Sequence, residues 1–354
     1  MKLKKELWKP FKNKNTYLYS ISDPKTGFLV QISDFGATIV RVLMPDRNGH
    51  LDDINFGQNS PEEYVEQGGY LGAVIGRVAN RVGNARFELD GKIYNLFVNN
   101  CNKHSLHGGK EGFNFKIWNC LKTEVDNEKA IIELQYISAD GEENYPGTLT
   151  TNVKYTIKPL EIEWEFISIT DKTTIINLTN HAYWNLDGLE TTIDNQVIRL
   201  NTDKYMPSDE TLIPTGEVLS VENSGYDFRQ GKKFLEIFKQ IGDIDNNFFI
   251  IGYKNDEYKL RFAAELYSPN TGRIMEVHTT EPCIQVYTGN FMENIKSFGI
   301  QCKKHSAVCL ETQRVPNAIN FPKFRDMVIL KPNEIYKHRT IHKFKISKFI
   351  EENK

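Results

Sequence analysis

Residues 160–170 read Leu-Glu-Ile-Glu-Trp-Glu-Phe-Ile-Ser-Ile-Thr, with Leu160, Ile162, Trp164 and Phe166 alternating against Glu161, Glu163 and Glu165. A period of two puts the apolar set on one face of an extended chain and the carboxylates on the other, which a 3.6-residue helical period cannot do. The segment is therefore expected to be a half-buried strand of an antiparallel sheet. The same signal recurs along the chain. Residues 87–89 and 92–94 flank Asp90-Gly91, the pair favoured in type I′ hairpin turns. Residues 265–267 and 273–277 flank the longer turn Ser268-Pro269-Asn270-Thr271-Gly272, and further β-rich runs cover 28–44, 130–138, 148–157, 197–200, 306–311 and 327–330. Helical character is confined to 61–65 and 232–241. Strands without interleaved helices argue against a parallel βαβ sheet and predict an all-β chain, a large antiparallel β-sandwich with few short helices. No repeat, linker or composition shift marks a boundary, so residues 1–354 are expected to form a single domain, as sandwiches often do beyond 200 residues.

Composition narrows the function classes. Hydrophobic residues at 40% and charged residues at 25% suit a folded chain with a substantial core and exclude disorder as a description of the whole. The 44 Lys and Arg nearly cancel the 46 Asp and Glu, leaving −2. A dedicated nucleic-acid or anionic-membrane binder would carry a basic surplus, so neither partner is expected. No run of about 18 apolar residues predicts a membrane helix. The N-terminal Met-Lys-Leu-Lys-Lys-Glu-Leu-Trp lacks the apolar stretch of a secretion signal. Five widely spaced cysteines do not make a disulfide framework in a chain of this size. A cytoplasmic location follows as the expectation, and the sequon at Asn177 is discounted accordingly.

Cofactor motifs are missing. Gly68, Gly69, Gly72 and Gly76 have the wrong spacing for a dinucleotide fingerprint, and Gly108-Gly109-Lys110 lacks the rest of a phosphate loop. Cys101-x-x-His104-x-x-His107 offers zinc-type ligands without a fourth partner, so no metal is expected. Three polar clusters interrupt the strand pattern. The first is Gly76-Arg77-Val78-Ala79-Asn80-Arg81, followed by His104-Ser105-Leu106-His107-Gly108-Gly109. The second is Asn177-Leu178-Thr179-Asn180-His181-Ala182-Tyr183-Trp184-Asn185-Leu186. The third is Cys309-Leu310-Glu311-Thr312-Gln313-Arg314-Val315-Pro316-Asn317, where Glu311 ends an apolar run. Taken singly, Arg81 reads as a surface ion-pair partner, His181 as a satisfied core histidine and Glu311 as a strand-end charge.

Taken together, the clusters resemble the aldose 1-epimerase (galactose mutarotase) family over essentially the whole chain. Residues 76–91 are similar to its G-R-x-A-N-R block and F-x-L-(D/N)-G hairpin, and Leu106-His107-Gly108-Gly109 to its L-H-G-G block. Residues 177–186 resemble N-x-T-N-H-x-Y-(F/W)-N-L, and Asp227-Phe228-Arg229 a short D-x-R element. Asp245-Asn246-Asn247-Phe248 resembles D-H-N-F, residues 285–290 Q-x-Y-(T/S)-(G/S)-N, and residues 310–313 L-E-(T/P)-Q. Asn246 stands where the family commonly has His, and Asn317 where it often has Asp. The resemblance implies an isomerase of hexose and galactose metabolism that interconverts the α and β anomers of free aldohexoses such as glucose and galactose. It implies no metal or organic cofactor. It assigns Glu311 as base and His181 as acid, with Asn80, Arg81, His107, Asp245 and Gln285 binding sugar.

The residue types suit that chemistry. Opening a pyranose takes a proton from the anomeric hydroxyl and gives one to the ring oxygen. It therefore needs a base and an acid, and a carboxylate and a histidine supply them near neutral pH. His107 and Arg81 are donors suited to an oxygen on which charge develops. Planar groups such as Asp245, Gln285, Asn80 and Arg81 match vicinal hydroxyls. Aromatic rings cover a sugar's C–H face, which makes Tyr183, Trp184 and Tyr287 candidates, Trp184 equally a core residue; His104 is equally a spacer. The rival readings are three. A hexose-6-phosphate 1-epimerase would need a basic cluster for the phosphate. A sugar-binding protein would have no use for an acid–base pair. A hydrolase would need paired carboxylates, which Asp245 and Glu311 could mimic. The expected partner is a small-molecule sugar, and the chain is expected to be a monomer or homodimer.

Overall fold

The protein, described by a computed structural model over residues 1–253 and 258–347, is built on two large antiparallel sheets packed face to face. The single-domain expectation for residues 254–257 and 348–354 lies outside the described residues. The larger sheet has nine strands in the order Asn119–Val125, Ala130–Ser138, Leu149–Lys158, Glu161–Thr170, Tyr336–Ile346, Arg273–Thr279, Arg261–Tyr267, Val197–Leu200 and Lys232–Lys233. The smaller has six, in the order Tyr183–Trp184, Val308–Gln313, Cys283–Tyr287, Asp245–Ile250, Thr202–Met206 and Leu219–Ser220. Between them one buried cluster takes Ile162, Trp164 and Phe166 from the first sheet and Phe248, Ile284, Val286, Val308 and Leu310 from the second. A five-stranded N-terminal meander, from Lys2–Leu7 to Leu51–Asp53, adds Tyr19, Ile21, Val30 and Ile32 to the same core. This is the sandwich expected from the alternation.

Local detail follows the sequence with some differences. Asp90 and Gly91 both have positive φ, as a type I′ turn requires. Leu160 is the turn residue before Glu161–Thr170, at φ 55°, and not a member of that strand. Glu165 points outward yet is nearly buried, because Lys154 and Lys337 close over it at 3.1 and 3.2 Å. The run 28–44 splits into Leu29–Ser33 and Ile39–Pro45 around a reversal with Gly36 and Ala37 at positive φ. Residues 327–330 divide between the end of a 3₁₀ turn, Arg325–Val328, and a short strand, Ile329–Leu330, paired with Thr174–Ile175. Two α-helices occur among the described residues. Pro61–Gln67 starts where the Ser60 side chain accepts the Glu63 N–H at 3.2 Å, and Phe234–Ile241 is the other.

The eleven-residue strand Tyr336–Ile346 lies at the centre of the large sheet but carries no obvious apolar run. Its inward face is Tyr336, His338, Thr340, His342 and Phe344, all buried. Three of those five are polar, so counting hydrophobic residues overlooks it.

Candidate active site

The six-stranded sheet separates core from site by strand alternation. On Val308–Gln313 and Cys283–Tyr287, Val308, Leu310, Ile284 and Val286 face the sandwich core, while Cys309, Glu311, Gln285 and Tyr287 face the other way. Gln285 pairs directly with Glu311 in the ladder, and Asp245 enters beside them on the next strand, opposite Tyr287. A carboxylate can therefore sit on a central strand without breaking the core. Of these, Glu311, Tyr287 and Asp245 form part of the wall of a cavity of about 420 Å³, which Asn80, Arg81, His107, His181 and Tyr183 also line, while Gln285 and Cys309 are not part of its lining. That volume is ordinary for a small-molecule site.

The loops bring in the rest. Asn80 and His107 both adopt left-handed backbone, φ 62° and 51°. They clasp each other: His107 N–H donates to the Asn80 carbonyl at 3.1 Å, and Asn80 N–H donates to His107 Nδ1 at 3.1 Å. Unfavoured backbone held by mutual bonds is typical of functional sites. Gly108 makes the approach possible, because a Cβ there would lie 1.9 Å from the Gly76 carbonyl oxygen. Of the two arginines in the first cluster, Arg77 is an anchor, donating to Ser138, Ala139 and Pro146. Arg81 turns into the cavity, its Nε donating to Asn100 Oδ1 at 2.9 Å and an Nη standing 3.7 Å from Asp245. Asp245 also accepts from Gln285 Nε2 at 2.7 Å.

His181 Nε2 lies 3.6 Å from Glu311 Oε1, with both side chains almost wholly buried. The imidazole is stacked between two tyrosines, Tyr183 at 5.0 Å and Tyr70 at 5.9 Å between ring centres. Burial pulls the His181 pKa down to about 4. Burial also pushes the Glu311 carboxyl well above its usual range; the nearby Asp245 charge adds to this and Arg81 opposes it. Asp245 is raised by burial against the pull of Arg81 and Gln285. His107 is held well below the usual imidazole value by burial, then by His181 and Arg81, so its ring is neutral at pH 7. Because its Nδ1 accepts the Asn80 N–H, the ring proton is on Nε2, which makes His107 a neutral donor.

That tautomer bears on metal binding. His107, His181 and Glu311 each offer an atom within 4.8 Å of the others, the only such group of three among the described residues. With Nδ1 engaged and Nε2 protonated, His107 has no free lone pair for an ion. The Cys101/His104/His107 spacing does not converge either: His104 Nδ1 accepts the Asn84 N–H and its Nε2 meets Thr211 Oγ1 at 2.8 Å. His104 is thus a tie between two rim loops.

The remaining predicted positions resolve similarly. Tyr183 lines the cavity, but its hydroxyl donates to the Gly69 carbonyl at 2.8 Å and its ring backs His181. Trp184 is wholly buried against His342 and Phe344, in the core. Tyr287 lines the cavity, and its hydroxyl accepts the Phe291 N–H. Asn246 donates to the Met206 carbonyl at 3.2 Å. Asn317, at φ 57°, accepts the Gly83 N–H at 2.9 Å, which fastens the strand that carries Arg81. Sequence reasoning missed Tyr70, Asn100 and Phe291, all lining the cavity. Tyr70 sits in the glycine-rich stretch dismissed as a failed nucleotide motif. There Gly72 is required for close packing, since a Cβ would lie 2.0 Å from the Ile39 carbonyl oxygen.

Comparison with known proteins bears on this arrangement. Residues 17–343 match the family model described as aldose 1-epimerase. The chain is 40% identical over 326 residues to galactose mutarotase of Bos taurus, covering 90% of this chain and 91% of that protein. It is 31% identical over 328 residues to aldose 1-epimerase of Escherichia coli K12, covering 90% and 92%. A solved structure, the GalM/aldose epimerase homologue of C. elegans, superposes with a TM-score of 0.84 at 30% identity over 93% of this chain and 99% of that one.

Proposed function

Because this chain belongs to the aldose 1-epimerase family, and is an enzyme that interconverts the α and β anomers of aldoses, we propose that Glu311 is its general base and His181 its general acid. The observation that carries this reading is the buried Glu311–His181 pair, 3.6 Å apart in the wall of the cavity. The anomeric and ring oxygens are bonded to the same carbon, so two groups this close can each address one of them.

Ring opening proceeds as Glu311 takes the anomeric hydroxyl proton while the C1–ring oxygen bond breaks and His181 protonates the departing oxygen. The free aldehyde turns about C1–C2. Closure on the other face returns both protons, with the roles reversed. In water a carboxyl and an imidazole differ by about two pKa units. Burial raises the first and lowers the second to about 4, which reverses their order: the carboxylate becomes a stronger base and the imidazolium a stronger acid than in water, the senses that ring opening needs. His107 supports the developing charge as a neutral donor, and Arg81 does so as a cation held by Asn100 and Asp245. Asp245, Gln285 and Asn80 bind hydroxyls, and Tyr183 acts chiefly by fixing the His181 ring.

D-glucose and D-galactose are the proposed substrates, without metal or organic cofactor. A phosphorylated hexose is disfavoured because Arg81 is the one cation among the described residues lining the cavity, and it is already engaged. All five cysteines are free thiols, which supports a cytoplasmic location. The test is polarimetry of freshly dissolved α-D-glucose and α-D-galactose. Faster relaxation to the same final rotation, lost in Glu311→Gln, supports the reading. No acceleration with either sugar overturns the substrate assignment, and steady release of reducing ends from oligosaccharides would replace it with hydrolysis.

A further inference from the structure

The residues leading into His181 are fastened one after another to the chain that follows Glu311. Asn177 and Arg314 form a reciprocal pair: Asn177 Oδ1 accepts the Arg314 N–H at 2.9 Å, and its Nδ2 donates to the Arg314 carbonyl at 3.2 Å. Leu178 N–H donates to the Tyr336 hydroxyl at 3.1 Å. Thr179 Oγ1 donates to the Thr312 carbonyl at 3.0 Å. Asn177 and Thr179 are buried, at 1% and 0% exposure, so none of these bonds competes with bulk water.

The backbone ladder of Thr179–Asn180 runs to Val74–Ile75, on the other side. Ahead of His181 the link to the Glu311 strand is therefore made by side chains, whereas after it Tyr183 and Trp184 pair with Cys309 and Val308 through the backbone ladder. Thr179 lies two residues before His181, and Thr312 is the neighbour of Glu311. We infer that Asn177 and Thr179 are positioning residues that set the spacing of the acid–base pair across the cavity wall. The inference rests on the roles of Glu311 and His181 given above. Misplacing a proton-transfer group by about 1 Å can cost on the order of 100-fold in rate, while the sugar-binding groups on other elements stay in place.

The experiment compares Thr179→Val, Thr179→Ser and Asn177→Ala with the parent and with Glu311→Gln, at a temperature well below each variant's melting point. The expected result for Thr179→Val is a kcat reduced at least about tenfold with KM within about twofold of the parent. Thr179→Ser, which restores the donor, should return kcat to within about threefold. Asn177→Ala should show the same kcat-only loss, and it decides the matter by the same criteria if Thr179→Val fails to fold. A variant that melts earlier but keeps its kcat would make these residues ordinary structural contacts and overturn the inference. A raised KM with unchanged kcat would overturn it too. Full activity in Glu311→Gln would remove the premise. An inactive Glu311→Gln beside a fully active Thr179→Val would overturn positioning alone.

Discussion

Replacing His342 by Phe should make the protein markedly more acid-resistant without touching the active site. His342 is 1% exposed and wedged between Trp164 and Trp184, with ring centres 4.7 and 5.1 Å away. Neither ring nitrogen has a hydrogen-bond partner among the described residues. Burial, reinforced by His278, pulls its pKa down to about 3. The unfolded chain regains the ordinary value near 6.5, so between those limits the unfolded state binds the extra proton. Stability from this group is complete above about pH 6.5 and is lost as pH falls toward 3. The proton linkage for such a shift costs about 0.2 kcal/mol at pH 7, about 2 kcal/mol at pH 5 and about 3 kcal/mol at pH 4. Phenylalanine has nearly the same shape and cannot be protonated.

Wild-type stability alone would not isolate the effect. His338, also drawn down to about 3, adds to it. Asp34 and Asp53, pushed up to about 6 and about 7 by burial, act in the opposite sense, contributing stability that is lost as pH rises through those values. These contributions cancel in the difference between variant and parent. Chemical denaturation of both proteins at pH 7 and pH 5 should show the variant's advantage growing by about 2 kcal/mol. A difference that stays constant within about 0.5 kcal/mol would refute the buried-neutral assignment for His342.

Three further outcomes test the site and its framework. Glu311→Gln should lose at least about 10³-fold in turnover while keeping its melting temperature and detectable sugar binding by calorimetry; near-normal rates would remove Glu311 as base. His181→Asn should lose most activity by polarimetry, and retained activity would move the acid role to His107. Gly108→Ala forces a Cβ to 1.9 Å from the Gly76 carbonyl oxygen at φ 89°, and should cost about 3 kcal/mol or more in denaturant unfolding; unchanged stability would show that the Gly76 and Gly108 loops can separate freely.

Where the sequence was legible, and where it was not, follows from how each residue does its work. The strand Glu161–Thr170 could be read directly because one face is in water, so the alternation records the core. Tyr336–Ile346 could not, because its inner face carries His338, Thr340 and His342: the Thr340 hydroxyl meets that of Thr279 at 2.9 Å, while the two imidazoles are buried with no hydrogen-bond partner for their ring nitrogens among the described residues. The same distinction governs the site. Glu311, His181 and Arg81 stand out as charges placed where strands rarely bury them, and the blocks around them carry the family resemblance. Tyr70 and Asn100 give no such signal. Their place in the cavity depends on a left-handed turn at Tyr70 and on a rim loop that brings Asn100 to the Arg81 guanidinium. Tyr183 shows the converse. Its ring lines the cavity, yet what it does is fixed by the Gly69 carbonyl that takes its hydroxyl and by the imidazole stacked on its face. Residue type announces which groups can move a proton. Only the partners that hold those groups, from Asn80 behind His107 to Thr179 beside Thr312, decide that they meet around one carbon atom.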